Sequence, residues 1–183
     1  MIMTIGSLSK EVSWKDTIKV WIVSYTGNLV GSLLMAWTLV QTGLVEKSPL
    51  KEFILGATTG KMGAPSTQLF FRGILCNMLV CLAIWMATRT KEDIAKLLLI
   101  FWCLFGFIGA GFEHSVANMT LLGMGLLIPH DSSVISWAGY VHNLIPVTLG
   151  NLVGGAIIIG AMYFYVGSEK EKEANKYGLS NSK

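Results

Sequence analysis

The segment Gly111-Phe112-Glu113-His114-Ser115-Val116-Ala117-Asn118-Met119 gathers a carboxylate, an imidazole and an amide into one short stretch of an otherwise apolar window. Imidazole is the side chain that exchanges a proton most readily near neutral pH. A histidine so placed can line a passage, hydrogen-bond a small anion and trade a proton with it. The ordinary alternative is a core histidine held by a backbone carbonyl. Asn118 lies one helical turn after His114, and in helical geometry the two share a face, which makes Asn118 a second polar contact. Glu113 adjoins His114 and must point to a different side. A carboxylate facing an anion path would repel its cargo, so Glu113 is read as structural and buried, with Lys61 or Arg72 as its candidate partner. Phe107 stands two turns before His114 on the same helical face, either as core packing or as a hydrophobic constriction. Asn77 is the lone amide of its apolar run and either bridges helices or caps an interruption. Lys61, among Gly60, Gly63, Ala64 and Pro65, reads as a loop lysine whose ammonium could concentrate anions by its local field. His130 and His142 sit near loops and are read as solvated.

Side chains of this kind need a scaffold that crosses lipid. Of 183 residues, 52% are hydrophobic and only 14% charged, with a mean hydropathy of +0.57, whereas a soluble domain carries charge at about a quarter of its positions. The charges are also segregated: none occurs between Lys19 and Glu46, Arg72 and Arg89, Lys96 and Glu113, or Asp131 and Glu169. A bilayer core of about 30 Å takes roughly 20 apolar residues to cross, and backbone groups in lipid must pair internally, so these windows predict helices. A soluble bundle would give each helix a polar face, which these windows lack. The expectation is an all-α polytopic membrane protein with one transmembrane domain over 1–183, spans near 18–44, 68–88, 93–128 and 140–166, and a tail over 167–183. As one straight helix the third span would run well past the bilayer core at about 1.5 Å per residue. With Gly106, Gly109 and Gly111 ahead of Glu113 and His114, it is predicted to break near 111–116. Irregular backbone at membrane depth is tolerated where protein or an aqueous cavity covers it. Pro129 ends the second stretch.

The net charge of +3 reflects topology. Lys10, Lys15 and Lys19, the short Arg89–Lys96 loop and the lysines of the tail fall on one side of the spans, which the positive-inside bias places in the cytoplasm of an inner-membrane protein. Trp14, Trp21, Trp37 and Trp137 lie near span ends, where indoles favour the headgroup zone. Nucleic-acid binding is not expected. Cys76, Cys81 and Cys103 are an odd number, lie in apolar windows and match neither a metal site nor a disulfide framework. No metal or cofactor is expected, and the N-terminus has no signal-peptide pattern.

One pentapeptide occurs twice. Gly27-Asn28-Leu29-Val30-Gly31 lies in the first span and Gly150-Asn151-Leu152-Val153-Gly154 in the last. Each is a small-xxx-small packing pattern with an adjoining asparagine. By loop charge the two spans run in opposite directions, as an inverted-topology repeat requires. Gly27 stands close to Met1, whereas roughly 80 residues separate the start of the second unit from Gly150. Equal repeats would leave roughly 50 to 60 residues unaccounted for, so the chain is expected to lack the family of elements that opens the first unit, with Met1–Ser9 the end of an incomplete helix.

The Gly111–Met119 segment resembles the central motif of the formate/nitrite transporter family, the two Gly-Asn-Leu-Val-Gly segments are similar to that family's third and sixth helices, and Gly73–Ala83 is similar to its fourth. The resemblance covers Met1 to Val166. It implies an aquaporin-like inverted-repeat bundle, a homopentamer with one pore per subunit, and small monovalent anions as cargo: formate, nitrite, hydrosulfide and other short acids. It further implies that His114 and Asn118 line a central chamber, that Phe107 and Val80 contribute to the inner and outer constrictions, and that Lys61 supplies positive potential at the outer vestibule. Phe70-Phe71-Arg72-Gly73 and His130-Asp131-Ser132-Ser133 lean toward the nitrite branch. The family's first helix, and most of its second with the loop facing the histidine, have no match here. A non-transporting truncated remnant and a haem-binding redox subunit using His114 and His142 are the rival readings. An enzyme is not expected, since no nucleophile–base pair is recognisable.

Overall fold

A computed structural model describes residues 1–176, with side-chain environments through 169; residues 177–183 of the expected tail lie outside the described residues. Every regular element among them is helical. The order is α1 (Ile2–Leu8), α2 (Trp14–Gln41), α3 (Leu50–Met62), α4 (Ser66–Arg89), α5 (Asp93–Gly109), α6 (Ser115–Leu127), α7 (Trp137–Leu152), a wider-wound π-helical stretch (Val153–Ala161) and α8 (Met162–Lys176). Trp14–Gln41, Ser66–Arg89 and the continuous Trp137–Glu169 are long and apolar enough to cross a membrane. The third expected span is two pieces, α5 and α6, separated by Ala110–His114. Its chain reversal uses Gly111 at φ +70°, a left-handed conformation that only glycine adopts without steric cost.

Two differences from the expected layout concern the ends of the spans. Residues 50–62 form a helix, so Lys61 sits in the last turn of α3 rather than in a loop. Ile54, Thr58 and Met62 recur at four-residue intervals and are all buried, which is enough to fix the helix despite Gly56 and Gly60. The last helix also runs on past residue 166 to Lys176.

Close backbone approach holds the bundle together. A Cβ added at Gly150 would strike the Phe70 carbonyl, and one at Gly154 the Ile74 carbonyl, so α7 and its continuation lie directly on α4. Gly73 returns the contact: a Cβ there would lie 2.8 Å from the Val147 carbonyl. On the other side α6 packs on α2, with Gly123 beside Ala36, and α1 packs on the π-helical stretch. Where helix meets helix in lipid, dispersion contact takes the place of the hydrophobic effect, which is why glycines mark these crossings.

The repeat is visible as a contact. Tyr25 and Thr148 occupy matching positions, each three residues before the repeated asparagine, and their hydroxyls are 3.0 Å apart. The bond links α2 to α7 about one turn before the repeated asparagine on each. Gly154→Ala is expected to lower the stability of the detergent-solubilised chain by about 1–3 kcal/mol through overpacking. Gly31→Ala, with nothing within 4 Å of its Cβ, is expected to be neutral. Thermal unfolding followed by circular dichroism measures both.

Candidate functional site

The interruption between α5 and α6 is the centre of the site. Leaving helical geometry there frees backbone donors and acceptors that lipid cannot satisfy. Phe112 N–H returns to the Phe107 carbonyl (3.0 Å), and Glu113 N–H donates to the Arg72 carbonyl of α4 (3.3 Å). The remaining groups go to one side chain. Asn151 accepts from Ser115 N–H through Oδ1 (2.9 Å) and donates through Nδ2 to the carbonyls of Glu113 (2.9 Å) and Gly73 (2.8 Å). Asn77 Nδ2 in turn donates to the Asn151 carbonyl. The asparagine of the second repeat therefore fastens the break, the start of α6 and the body of α4 at one point.

His114 is the residue that precedes α6, with extended backbone (φ −113°, ψ 118°). Its Nδ1 faces the Ala117 N–H at 3.4 Å. That geometry places the ring proton on Nε2, which has no hydrogen-bond partner among the described residues. The ring lies against Phe107, centroids 6.1 Å apart and planes at 28°, and Phe107 is itself buried. An open cavity of about 480 Å³ lies on the exposed side of the imidazole, lined among others by Tyr25, Asn28, Asn77, His114, Thr148 and Asn151. The polar side chains that line it are uncharged.

The charged residues lie behind this wall. Lys61 Nζ is 2.8 Å from Glu113 Oε2, with side-chain exposures of 24% and 3%. An unpaired carboxylate at that depth would be prohibitively desolvated, and the ammonium compensates it. Asn118, also buried, donates to the same Glu113 oxygen and to Asn143 Oδ1 (2.9 Å). Asn143 Nδ2 closes the ring on the Lys61 carbonyl (3.0 Å). Arg72, the other candidate partner for Glu113, takes it through its backbone, while its guanidinium is 3.3 Å from Gln68.

The predicted site residues thus separate into two groups. His114 lines the cavity, with Phe107 stacked on its ring; Lys61, Glu113 and Asn118 form a buried network with Asn143; Val80 is half-buried on α4 away from the cavity lining. Asn77 and Asn151 fasten the break, while Gly150 and Gly154 bring α7 and its continuation against α4. Gly27, Asn28 and Gly31 lie on an exposed face of α2. His142 Nε2 is engaged by the Ala64 carbonyl (2.9 Å), and His130 sits between the carbonyls of Ile128 and Ile135. Both are held by backbone rather than simply solvated. Sequence reading did not single out Tyr25, Thr148 or Asn143. The first two were recoverable, because they are matching positions of the repeat.

A bundle of apolar helices around a fastened break between two of them defines a polytopic membrane protein of the channel and transporter class. Residues 1–165 match the sequence model of the family described as formate/nitrite transporter. The chain belongs to that family. It is 45% identical over 161 residues to the uncharacterized transporter YwcJ of Bacillus subtilis (88% of this chain, 62% of the relative). It is 43% identical over 169 residues to the nitrite transporter NirC of Salmonella typhimurium (92% and 61%). Among solved structures it superimposes on an FNT family ion channel with a TM-score of 0.83 at 42% identity, covering 89% of this chain and 65% of that one. A pentameric formate channel with formate bound gives a TM-score of 0.76 at 30% identity (85% and 68%). The chain spans about three fifths of the length of these curated relatives.

The buried network predicts a specific pattern. Lys61→Met leaves Glu113 charged and unpaired and is expected to cost about 3–5 kcal/mol of stability, and Lys61→Met with Glu113→Gln is expected to recover most of that loss. Unfolding in detergent, measured as a double-mutant cycle, reads the difference.

Proposed function

We propose that this chain forms the anion-conducting part of a transmembrane channel for small monovalent anions of the formate and nitrite type. The observation that carries the reading is the imidazole of His114, presented at a helix break with a free Nε2 toward a cavity walled by neutral polar groups. The relatives named for nitrite transport and for formate binding support it. So do the apolar helices, which suit an aquaporin-like arrangement in a cytoplasmic membrane with the C-terminus inside.

Bare hydrocarbon imposes a desolvation cost on an ion that no single contact repays. A weak-acid anion can reduce that cost by taking up a proton. In the proposed sequence the anion enters from the side of Lys61, where the outward end of the Lys61–Glu113 dipole is positive, and reaches Nε2–H of His114. It gains a proton at or near the imidazole and passes Phe107 as the neutral acid. Asn118 contributes through the network that keeps Glu113 neutralised behind the imidazole. The anion of a strong acid, such as chloride, would stay charged and be held back. Hydrosulfide meets the same requirement as formate and nitrite and is an alternative cargo. The pentameric relative supports a homopentamer, with the exposed apolar faces of α2 and α5 shared between lipid and neighbouring subunits.

A second reading, in which this stretch packs within a channel without conducting by itself, is favoured by the 61–62% coverage of the curated relatives. Reconstitution of this chain into vesicles containing a pH dye separates the two. On the channel reading, a nitrite or formate gradient drives a rapid internal pH change, and His114→Asn slows it at least tenfold while helicity and assembly persist. Undiminished proton-linked flux in His114→Asn would remove the imidazole from the mechanism. No flux from the unaltered chain would select the second reading.

A further inference from the structure

Hydroxyls on apolar helices ordinarily return to their own backbone. Thr38 donates to the Leu34 carbonyl (2.8 Å), Thr90 to Met86 (2.8 Å) and Ser168 to Phe164 (2.9 Å), each one turn back along the chain. Such a local bond satisfies the group where water is scarce. Thr148 does otherwise. Its Oγ1 lies 3.0 Å from the Tyr25 hydroxyl on another helix, and both residues line the cavity that His114 faces. Tyr140 makes the contrast from the same cluster, since it gives its O–H to the Met119 carbonyl.

Two hydroxyls carry two protons, and the bond between them uses one. Whichever oxygen donates, one O–H of the pair has no partner among the described residues. The Tyr25 ring packs on the buried cluster that contains Met119, Leu122, Tyr140 and Leu144, which holds the phenol at the cavity. Ser24 and Asn28 also reach this cavity, but both are exposed on α2 and no bond fixes either side chain. The Tyr25–Thr148 pair is held from two helices. A donor set in place before its acceptor arrives loses little freedom on binding, and a hydrogen bond to an ionised acceptor is among the strong ones.

His114 presents a single N–H, from Nε2, to the same cavity. Formate and nitrite spread their charge over two oxygens, whereas hydrosulfide and chloride carry it on one atom. An anion with two oxygens takes one bond from each of two donors. An anion with one charged atom must share that atom between them. We infer that the Tyr25–Thr148 hydroxyl pair is a specificity determinant of the cavity. Its uncommitted O–H donates to one oxygen of formate or nitrite while Nε2–H of His114 holds the other, and the pair thereby selects two-oxygen anions over hydrosulfide and chloride. The inference rests on the anion reading of the cavity given above, but it concerns recognition and not passage.

The test is binding of isotope-labelled formate to the full chain in detergent, followed by NMR line broadening, with nitrite, hydrosulfide and chloride as competitors. Tyr25→Phe combined with Thr148→Val removes both hydroxyls with little change of shape. It is expected to weaken formate and nitrite about tenfold, the worth of one hydrogen bond to a charged group, and to leave hydrosulfide and chloride within about twofold. Thr148→Ser keeps the hydroxyl and is expected to bind every anion as the unaltered chain does. Thr148→Val alone leaves the phenol on its cluster and is expected to move the formate-to-hydrosulfide ratio in the same direction; it carries the test if the double variant does not fold. Equal weakening of all the anions, or an unchanged ratio, would overturn the proposal, as would no formate binding by the unaltered chain. The channel reading fails on a different result, vesicles that pass no anion, and the binding ratios can still be read in that case.

Discussion

A helix that stops inside an apolar bundle leaves peptide groups that must find partners, and the rest of this structure follows from how they are satisfied. Asn151 accepts the first N–H of α6 and donates to carbonyls on both the break and α4. One short side chain can span these three groups only if α7 lies almost in contact with α4. That requirement explains Gly150, Gly154 and Gly73, each of which faces backbone where a Cβ would not fit. The glycines and the asparagine are therefore one device: the glycines set the separation that the amide bridges.

Fastening the break in this way determines the chemistry beside it. Glu113 and His114 are neighbours, and the extended backbone at His114 turns them to opposite sides. Glu113 points inward to Lys61, Asn118 and Asn143, so the ionised pair is complete and hydrogen-bonded behind the wall. His114 points to the cavity and meets neutral groups. A site that displayed the carboxylate would repel an anion, and one that displayed an unbalanced ammonium would bind it too firmly to release. Burying a neutralised pair behind a single titratable donor avoids both outcomes.

Much of this was legible in the sequence because membranes impose strict arithmetic. Charge-free windows marked apolar helices, glycines ahead of a histidine marked the interruption, and the electrostatics of a buried carboxylate left Lys61 and Arg72 as candidate partners of Glu113, between which the structure selects Lys61. Three features were less accessible, each for a physical reason. The α3 helix is short and carries Gly56, Gly60 and two lysines, so local propensity reads as loop while tertiary burial of Ile54, Thr58 and Met62 decides for helix. The pairing of His114 and Asn118 on one face assumed continuous helical winding, but the non-helical φ and ψ of His114 offset that count and bring Asn118 into the Glu113 network. Asn143 is one amide among many polar residues in its window, and only the folded register shows that it bridges Asn118 and the Lys61 backbone.

The Tyr25–Thr148 bond constrains the geometry further. Tyr25 and Thr148 both line the cavity, so the bond between these matching positions of the repeat is part of its wall. One turn beyond them on each helix stand Asn28 and Asn151, which hold the same place in the repeated pentapeptide and both reach the same cavity. The repeat brings a pair of asparagines to one cavity, and the interruption that Asn151 fastens supplies the imidazole. Scaffold and chemistry are thus separable here. The repeat fixes where a passage can run, and the single histidine at the end of one interrupted helix determines what kind of ion can use it.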